Sequence, residues 1–249
     1  MTDRFKSELD KIGITLTDDQ KKQFDQYYRL LVEWNKVMNL TGIVDYDEVN
    51  LKHFTDSLTI VKVIDMKKIR CLIDVGTGAG FPGIPIKIAY PHIKVVLLDS
   101  LNKRIKFLNT VIDELGLTDI YAVHGRAEDM AKKGEYREVF DLCVSRAVSN
   151  LSTLSEYCIP FVRKKGSFVS YKSVSADEEI KQSENALNIL GGKIENVDKN
   201  KEANFDDCIL LEKYAKEIID RKLMSEKNVM KYVLQAQGID MMKQISNKT

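Results

Sequence analysis

The chain has 249 residues, 44% of them apolar and 30% charged, with a formal net charge of +1. This is an ordinary globular composition, with room for one large domain or a domain carrying a small addition. The near-zero charge argues neither for nor against nucleic acid, because an acidic partner would need charge sorted onto one face.

Residues 1 to 65 read as a helical subdomain. Leu9, Ile12 and Leu16 recur at three- and four-residue spacing. Thr17 offers an N-cap, and Gln20 three residues later completes a capping-box pattern. Phe24, Tyr27, Leu31, Trp34 and Met38 then line one helical face, and the turn-like NLTG ends that helix. A shorter helix is expected through EVNLKHFTDSLTIVKVI. Acidic residues outnumber basic ones here, which favours a packed subdomain over an RNA-binding arm.

The pattern changes at Cys71. CLIDV reads as a strand, IPIKIAY as a helix, KVVLLD as a strand and NKRIKFLNTVIDEL as a helix. Strands near YAVHG and VFDLCVS follow, then a helix near NLSTLSEYCI, the strand GSFVSYK and a helix over DEEIKQSENALNIL. Alternating strands and helices imply a mostly parallel sheet, and the late pair KIENVD and NFDDCILLEKY an antiparallel edge hairpin. The reading is an α/β fold over 66–213, with a charged helical extension over 214–249. No apolar run approaches the roughly 18–20 residues of a membrane helix. The charged start MTDRFKSELDKIG does not read as a signal peptide, so the cytoplasm is the default.

Cys71, Cys143, Cys158 and Cys208 form no CxxC pair, and His53, His92 and His124 have no ligand spacing. Reduced core thiols and no metal site are expected. The stretch DVGTGAGFPG, residues 74–83, joins the first strand to the first helix of the sheet. It lacks the GxxxxGK[ST] of a phosphate-binding loop. Gly78, Gly80 and Gly83 match GxGxxG, but the turn glycine after a strand ending at Val75 should be Gly76, and from Gly76 the pattern fails at Phe81. Pro82 and Pro85 also remove amides that a pyrophosphate would use.

An S-adenosylmethionine loop fits better. Asp74 can meet an ammonium directly or through water, while Gly76, Gly78 and Gly80 allow close approach. Asp99, ending the second strand, can take both ribose hydroxyls; a plain helix N-cap is its alternative. Arg146, directly after VFDLCVS, could pair with an RNA phosphate or guanine O6, or with a neighbouring acid. His53 and Asp56 share a helical face, either at the site or tying the subdomain to the core. Asn39 and Thr41 border the substrate entrance or serve the turn. Lys103, Arg104 and Lys106, with Arg163, Lys164, Lys165 and Lys172, form a candidate RNA surface or an ordinary solvated face. No [DNS]PP[YF] or Pro-Cys sequence is present, which disfavours exocyclic-amine and thiol-dependent carbon methylation.

DVGTGAGFPGIP followed by LLDSLNKRIKFL resembles the bacterial 16S rRNA 7-methylguanosine methyltransferases, also called glucose-inhibited division protein B. NLTGI, HFTDSL, AED and VSRAV add to the resemblance, which covers roughly residues 20–212. It implies a class I methyltransferase fold and transfer of a methyl group from S-adenosyl-L-methionine to N7 of one guanine in the 530-region loop of 16S ribosomal RNA. By motif match, Gly76 and Phe81 fall on cofactor-contacting positions and Ala127 and Glu128 where the adenine is bracketed. Arg146 falls at the edge of the cofactor and substrate pocket. The loop reads GAGFPG where the family more often has GPGLPG, and the tail lacks the family's short proline-containing basic segment. A small-molecule methyltransferase, or a binding module without RNA activity, is the alternative.

Overall fold

The structure is a computed structural model and describes residues 2–146, 149–172, 176–199 and 206–213. Helices α1 (Asp3–Lys11) and α2 (Asp18–Met38) open the chain. Both halves of the predicted capping box form: Thr17 Oγ1 accepts from the Gln20 amide, and Gln20 Oε1 accepts from the Thr17 amide. A continuous helical stretch follows, made of α3 (Tyr46–Val49), a π-helical turn over Asn50–Thr55, α4 (Asp56–Leu58) and a 3₁₀ turn over Thr59–Lys62. The single predicted helix is thus interrupted by a wide turn, a feature frequent at functional sites.

The α/β part runs β1 (Cys71–Val75), α5 (Gly83–Ala89), β2 (Lys94–Asp99), α6 (Asn102–Glu114), β3 (Ile120–His124), α7 (Ala127–Met130), β4 (Phe140–Arg146), α8 (Leu151–Cys158), β5 (Val162–Lys172), α9 (Ala176–Leu190), β6 (Gly192–Asp198) and β7 (Asp207–Lys213). The seven strands order as β3-β2-β1-β4-β5-β7-β6. Neighbours from β3 to β5 are parallel, and β7 is antiparallel to both β5 and β6. The expected hairpin therefore exists, but its second strand inserts between β5 and its first strand.

Strand pleating divides the core into two layers. Leu72, Val95, Leu97, Leu142 and Val144 face one side, and Ile73, Val96, Leu98 and Cys143 the other. The first side carries α5, α6 and the N-terminal helices; the second carries α7, α8 and α9. Phe5, Phe24, Tyr27 and Phe54 sit in the same apolar cluster as Ile84 and Leu97, so the helical subdomain packs directly on the sheet layer. Glutamines three apart on α2 strengthen the seam. Gln20 donates to the Ile88 carbonyl, Gln23 to Leu115 and Gln26 to Glu114, satisfying orphan carbonyls at the ends of α5 and α6. Among the described residues, no helix is long and apolar enough to cross a membrane, and no cluster of His, Cys, Asp and Glu could hold a metal. The predicted extension over 214–249 lies outside the described residues.

Candidate cofactor and substrate pocket

The glycine loop leaves β1 at Gly76, whose φ of +71° marks it as the turn glycine. The amides of Gly76 and Thr77 both donate to the Leu98 carbonyl at 2.9 and 3.2 Å. They are tied to β2 and are not offered to an anion. At the start of α5, the Gly83 amide and the Thr77 hydroxyl donate to Asp74 Oδ2 at 2.8 and 2.7 Å. The chain's own carboxylate thus occupies the place where a dinucleotide fold would hold a phosphate. Burial pushes the Asp74 carboxyl up to about 7 despite those two donors. Its Oδ1 is buried without a hydrogen-bond partner.

Gly80 is where the loop meets the N-terminal helices. A Cβ there would lie 2.4 Å from Ile84 Cδ1 and 2.7 Å from the Tyr27 hydroxyl, and φ is +98°. Only glycine fits that approach.

Two cavities open beyond the carboxyl ends of β1, β2 and β4, as expected for an open parallel sheet. The larger, of about 450 Å³, is lined by Thr41, His53, Gly78, Phe81, Arg104 and Arg146 among others. The smaller, of about 300 Å³, is bounded by Gly125, Ala127, Glu128 and Tyr157. Gly76, Asp99 and Ser100 line both. Asp99 is almost fully buried at the junction. Its Oδ1 accepts from the Leu101 amide, and its Oδ2 accepts from the Gly78 amide and from Arg104 Nη1, all at 2.9 to 3.1 Å.

Arg146 ends β4 and lines the larger cavity. Its guanidinium lies 4.9 Å from the centroid of Phe81. Nη1 donates to Asp56 Oδ2 at 2.9 Å and to the Lys52 carbonyl at 3.4 Å, while Nη2 lies 3.4 Å from His53 Nδ1. His53 Nδ1 also lies 3.1 Å from the Lys52 carbonyl, to which it donates, so it stands beside the arginine without accepting from it. Asp56 and Lys52 thus engage two N–H groups of a guanidinium that has five. His53 stacks on the Phe81 ring at 4.7 Å between centroids, and bonds Thr41 Oγ1 through Nε2 at 2.7 Å. Burial first, and Arg146 second, push its imidazole down to about 4, so it is neutral at physiological pH. Burial raises the Asp56 carboxyl, and Arg146 opposes the rise.

The sequence-derived residues therefore divide. Gly76, Gly78, Phe81, Asp99, Arg146, Thr41 and His53 line the larger cavity, with Gly80 and Asp56 behind them; Ala127 and Glu128 line the smaller one. Asp74 lies beneath the loop and forms no wall of either cavity. Asn39 is the left-handed C-cap of α2, the turn role.

The basic residues do not form one surface. Lys103 and Lys106 are exposed on α6, which starts at the cavity rim, whereas Arg104 points into the cavity. Arg163, Lys164 and Lys165 sit at the start of β5, at the opposite end of the parallel sheet, with Arg163 paired to Asp141 at 2.6 Å. Lys172 is buried, paired to Glu179 at 2.9 Å and bonded to the Ser149 carbonyl. Sequence reasoning missed Thr77, Ser100 and Tyr157 as pocket residues and Tyr27 as the loop's support. Thr77 and Ser100 adjoin recognised positions, but Tyr157 carried no local signal.

The model of the family described as GidB, rRNA small subunit methyltransferase G, matches residues 20–208. The chain belongs to this family. Curated GidB relatives described as ribosomal RNA small subunit methyltransferase G agree. One from Lachnoclostridium phytofermentans is 54% identical over 75% of this chain and 77% of its own. One from Clostridium kluyveri is 50% identical over 80% and 84%. Among solved structures, a SAM-dependent O-methyltransferase from Thermotoga maritima superposes with a TM-score of 0.51 at 16% identity, covering 75% of this chain and 72% of that one. The Methanococcus jannaschii fibrillarin pre-rRNA processing protein also gives 0.51 at 16% identity, over 64% and 73%. These two share the Rossmann-like methyltransferase fold of this chain.

Proposed function

We propose that the protein transfers a methyl group from S-adenosylmethionine to N7 of a guanine in the 530-region loop of 16S ribosomal RNA, in the cytoplasm. The observation that carries this reading is the pair of cavities meeting at Asp99, with Arg146 fixed in the wall of the larger one. Family membership supplies the RNA class.

The residues fit the cofactor. The first loop amides are committed to β2 and the helix start to Asp74, which suits a ligand without phosphate. Asp99 offers a buried carboxylate to a ribose diol, and Ala127, Glu128 and Tyr157 frame a cavity for the adenine. Asp74, with its unpartnered oxygen behind the loop, would act on the methionine ammonium through the loop or an intervening water. When bound, S-adenosylmethionine supplies an electrophilic methyl group on a sulfonium.

Guanine N7 has a free lone pair and no proton to lose, so the chain's task is alignment. Arg146, held by Asp56 and the Lys52 carbonyl, would present its remaining N–H groups to guanine O6 or an adjoining phosphate. Phe81 and the stacked His53 would shape the apolar side of the base's slot. Positive charge passes to the purine during transfer, and a neutral His53 avoids adding another cation there. The target base must be unstacked to reach this depth. Incubation with labelled S-adenosylmethionine, small-subunit RNA and a metabolite extract tests the reading: label is expected in the RNA. Label in metabolites would favour a small-molecule enzyme, and cofactor binding without any label a binding module.

A further inference from the structure

Arg104 sits where a ligand's hydroxyls would have to go. A carboxylate offers about four lone-pair sites. Three of those on Asp99 are taken, by the Leu101 amide, the Gly78 amide and Arg104 Nη1. A ribose diol brings two donors, so one present partner must leave. The two amides belong to the backbone of the loop and of the helix start. The guanidinium is on a long side chain that is 36% exposed, against 2% for Asp99. It also occupies space in the larger cavity itself.

We infer that Arg104 is a stand-in for the cofactor's ribose hydroxyls and that cofactor binding expels it toward the rim, where it becomes an RNA phosphate contact. This rests on the assignment of Asp99 to the ribose. Arg104 lies in the first turn of α6, beside the exposed Lys103 and close to the exposed Lys106. Freed from Asp99, its guanidinium adds one cation to that exposed pair. An arginine is suited to this exchange, since its planar fork serves carboxylate and phosphate alike. Cofactor and RNA binding are then coupled with positive sign, and the coupling runs through one side chain.

Fluorescence anisotropy of a labelled RNA hairpin carrying the 530-region loop tests this, with and without the unreactive product S-adenosylhomocysteine. In the wild type, the product tightens RNA binding by roughly three- to tenfold, and the dependence of log affinity on log salt steepens by about one contact. In Arg104→Gln both changes vanish, while calorimetry shows S-adenosylhomocysteine bound at least as tightly as in wild type. Lys103→Gln weakens RNA binding by the same factor in both states. Equal wild-type RNA affinity with and without bound product overturns the inference and leaves the proposed function standing. So does a cofactor effect that survives in Arg104→Gln, or loss of product binding in that variant with an unchanged melting curve. No product binding by the wild type, or no RNA binding in either state, overturns the functional reading and this inference with it.

Discussion

The hydroxyl of Tyr27, on α2, donates to the carbonyl of Ala79 in the glycine loop at 2.5 Å. Both groups are buried, and the Tyr27 ring stacks on Phe54 at 5.2 Å and packs against Phe81 at 5.5 Å. The N-terminal helices are therefore part of the loop's support. Tyr27→Phe keeps the rings and removes only the donor, stranding a carbonyl at a cost of about 1–3 kcal/mol. The expected outcome is a modest fall in melting temperature with a several-fold loss of S-adenosylmethionine affinity by calorimetry. Unchanged affinity would show that the loop holds its shape without this bond.

Arg146 and Asp56 form a buried pair, at 11% and 3% side-chain exposure. Arg146→Ala leaves a buried carboxylate unpaired, which costs roughly 3–5 kcal/mol of stability. Loss of activity in that variant alone would not separate positioning from folding. A double-mutant cycle does. In an Asp56→Asn background, Arg146→Ala should cost roughly half as much stability or less, as read by urea melts. Methyl transfer should be lost in both backgrounds. Activity that returns together with stability would assign Arg146 a purely structural role.

The buried Asp74 gives stability a pH dependence of known sign. Its folded carboxyl titrates near 7, against an ordinary 3.8. Between those values the unfolded chain releases the proton and the folded chain keeps it, so stability falls as pH rises through the window and levels off above it. The slope is at most about 1.4 kcal/mol per pH unit. His53 acts with opposite sign between about 4 and 6.5, but it is common to both proteins in a comparison with Asp74→Asn. Wild-type stability should therefore decline relative to Asp74→Asn from pH 4 to 7 in urea titrations. A constant difference would contradict the assignment.

The basic residues divide between the two ends of the sheet. Lys103→Gln and Lys106→Gln should each weaken RNA binding and flatten its salt dependence, because they are exposed on the helix whose Arg104 lines the cavity. Lys164→Gln and Lys165→Gln, at the start of β5, should leave RNA affinity unchanged in the same titration. An equal loss from both pairs would place RNA across both ends of the molecule.

Local patterns made much of this molecule legible in the sequence. The Thr17–Gln20 box forms because its four atoms are within one turn. Gly76 was identifiable because the strand's end sets the turn, whichever glycines satisfy a wider spacing. The i,i+3 pair His53 and Asp56 meets a common partner, as one helical face requires. What escaped depends on which end of a strand a residue occupies and on what lies across from it. Arg163–Lys165 and Lys172 belong to one strand, β5, whose ends point away from and toward the pocket. Lys172 is near the pocket but spent on Glu179, a partner from another element. The π-helical turn and the insertion of β7 beside β5 are likewise tertiary outcomes that apolar periodicity does not encode.

The most direct test of the central claim is the chemical position of the transferred methyl group. The protein is incubated with small ribosomal subunits lacking the modification and with S-adenosylmethionine, and the 16S RNA is then mapped for 7-methylguanosine by strand cleavage at that base. The account predicts one methyl group per subunit, at N7 of a single guanine in the 530-region loop, and none with an Asp99→Ala variant that folds. A methyl group on another atom or another RNA, or full methylation by the Asp99→Ala variant, would contradict it.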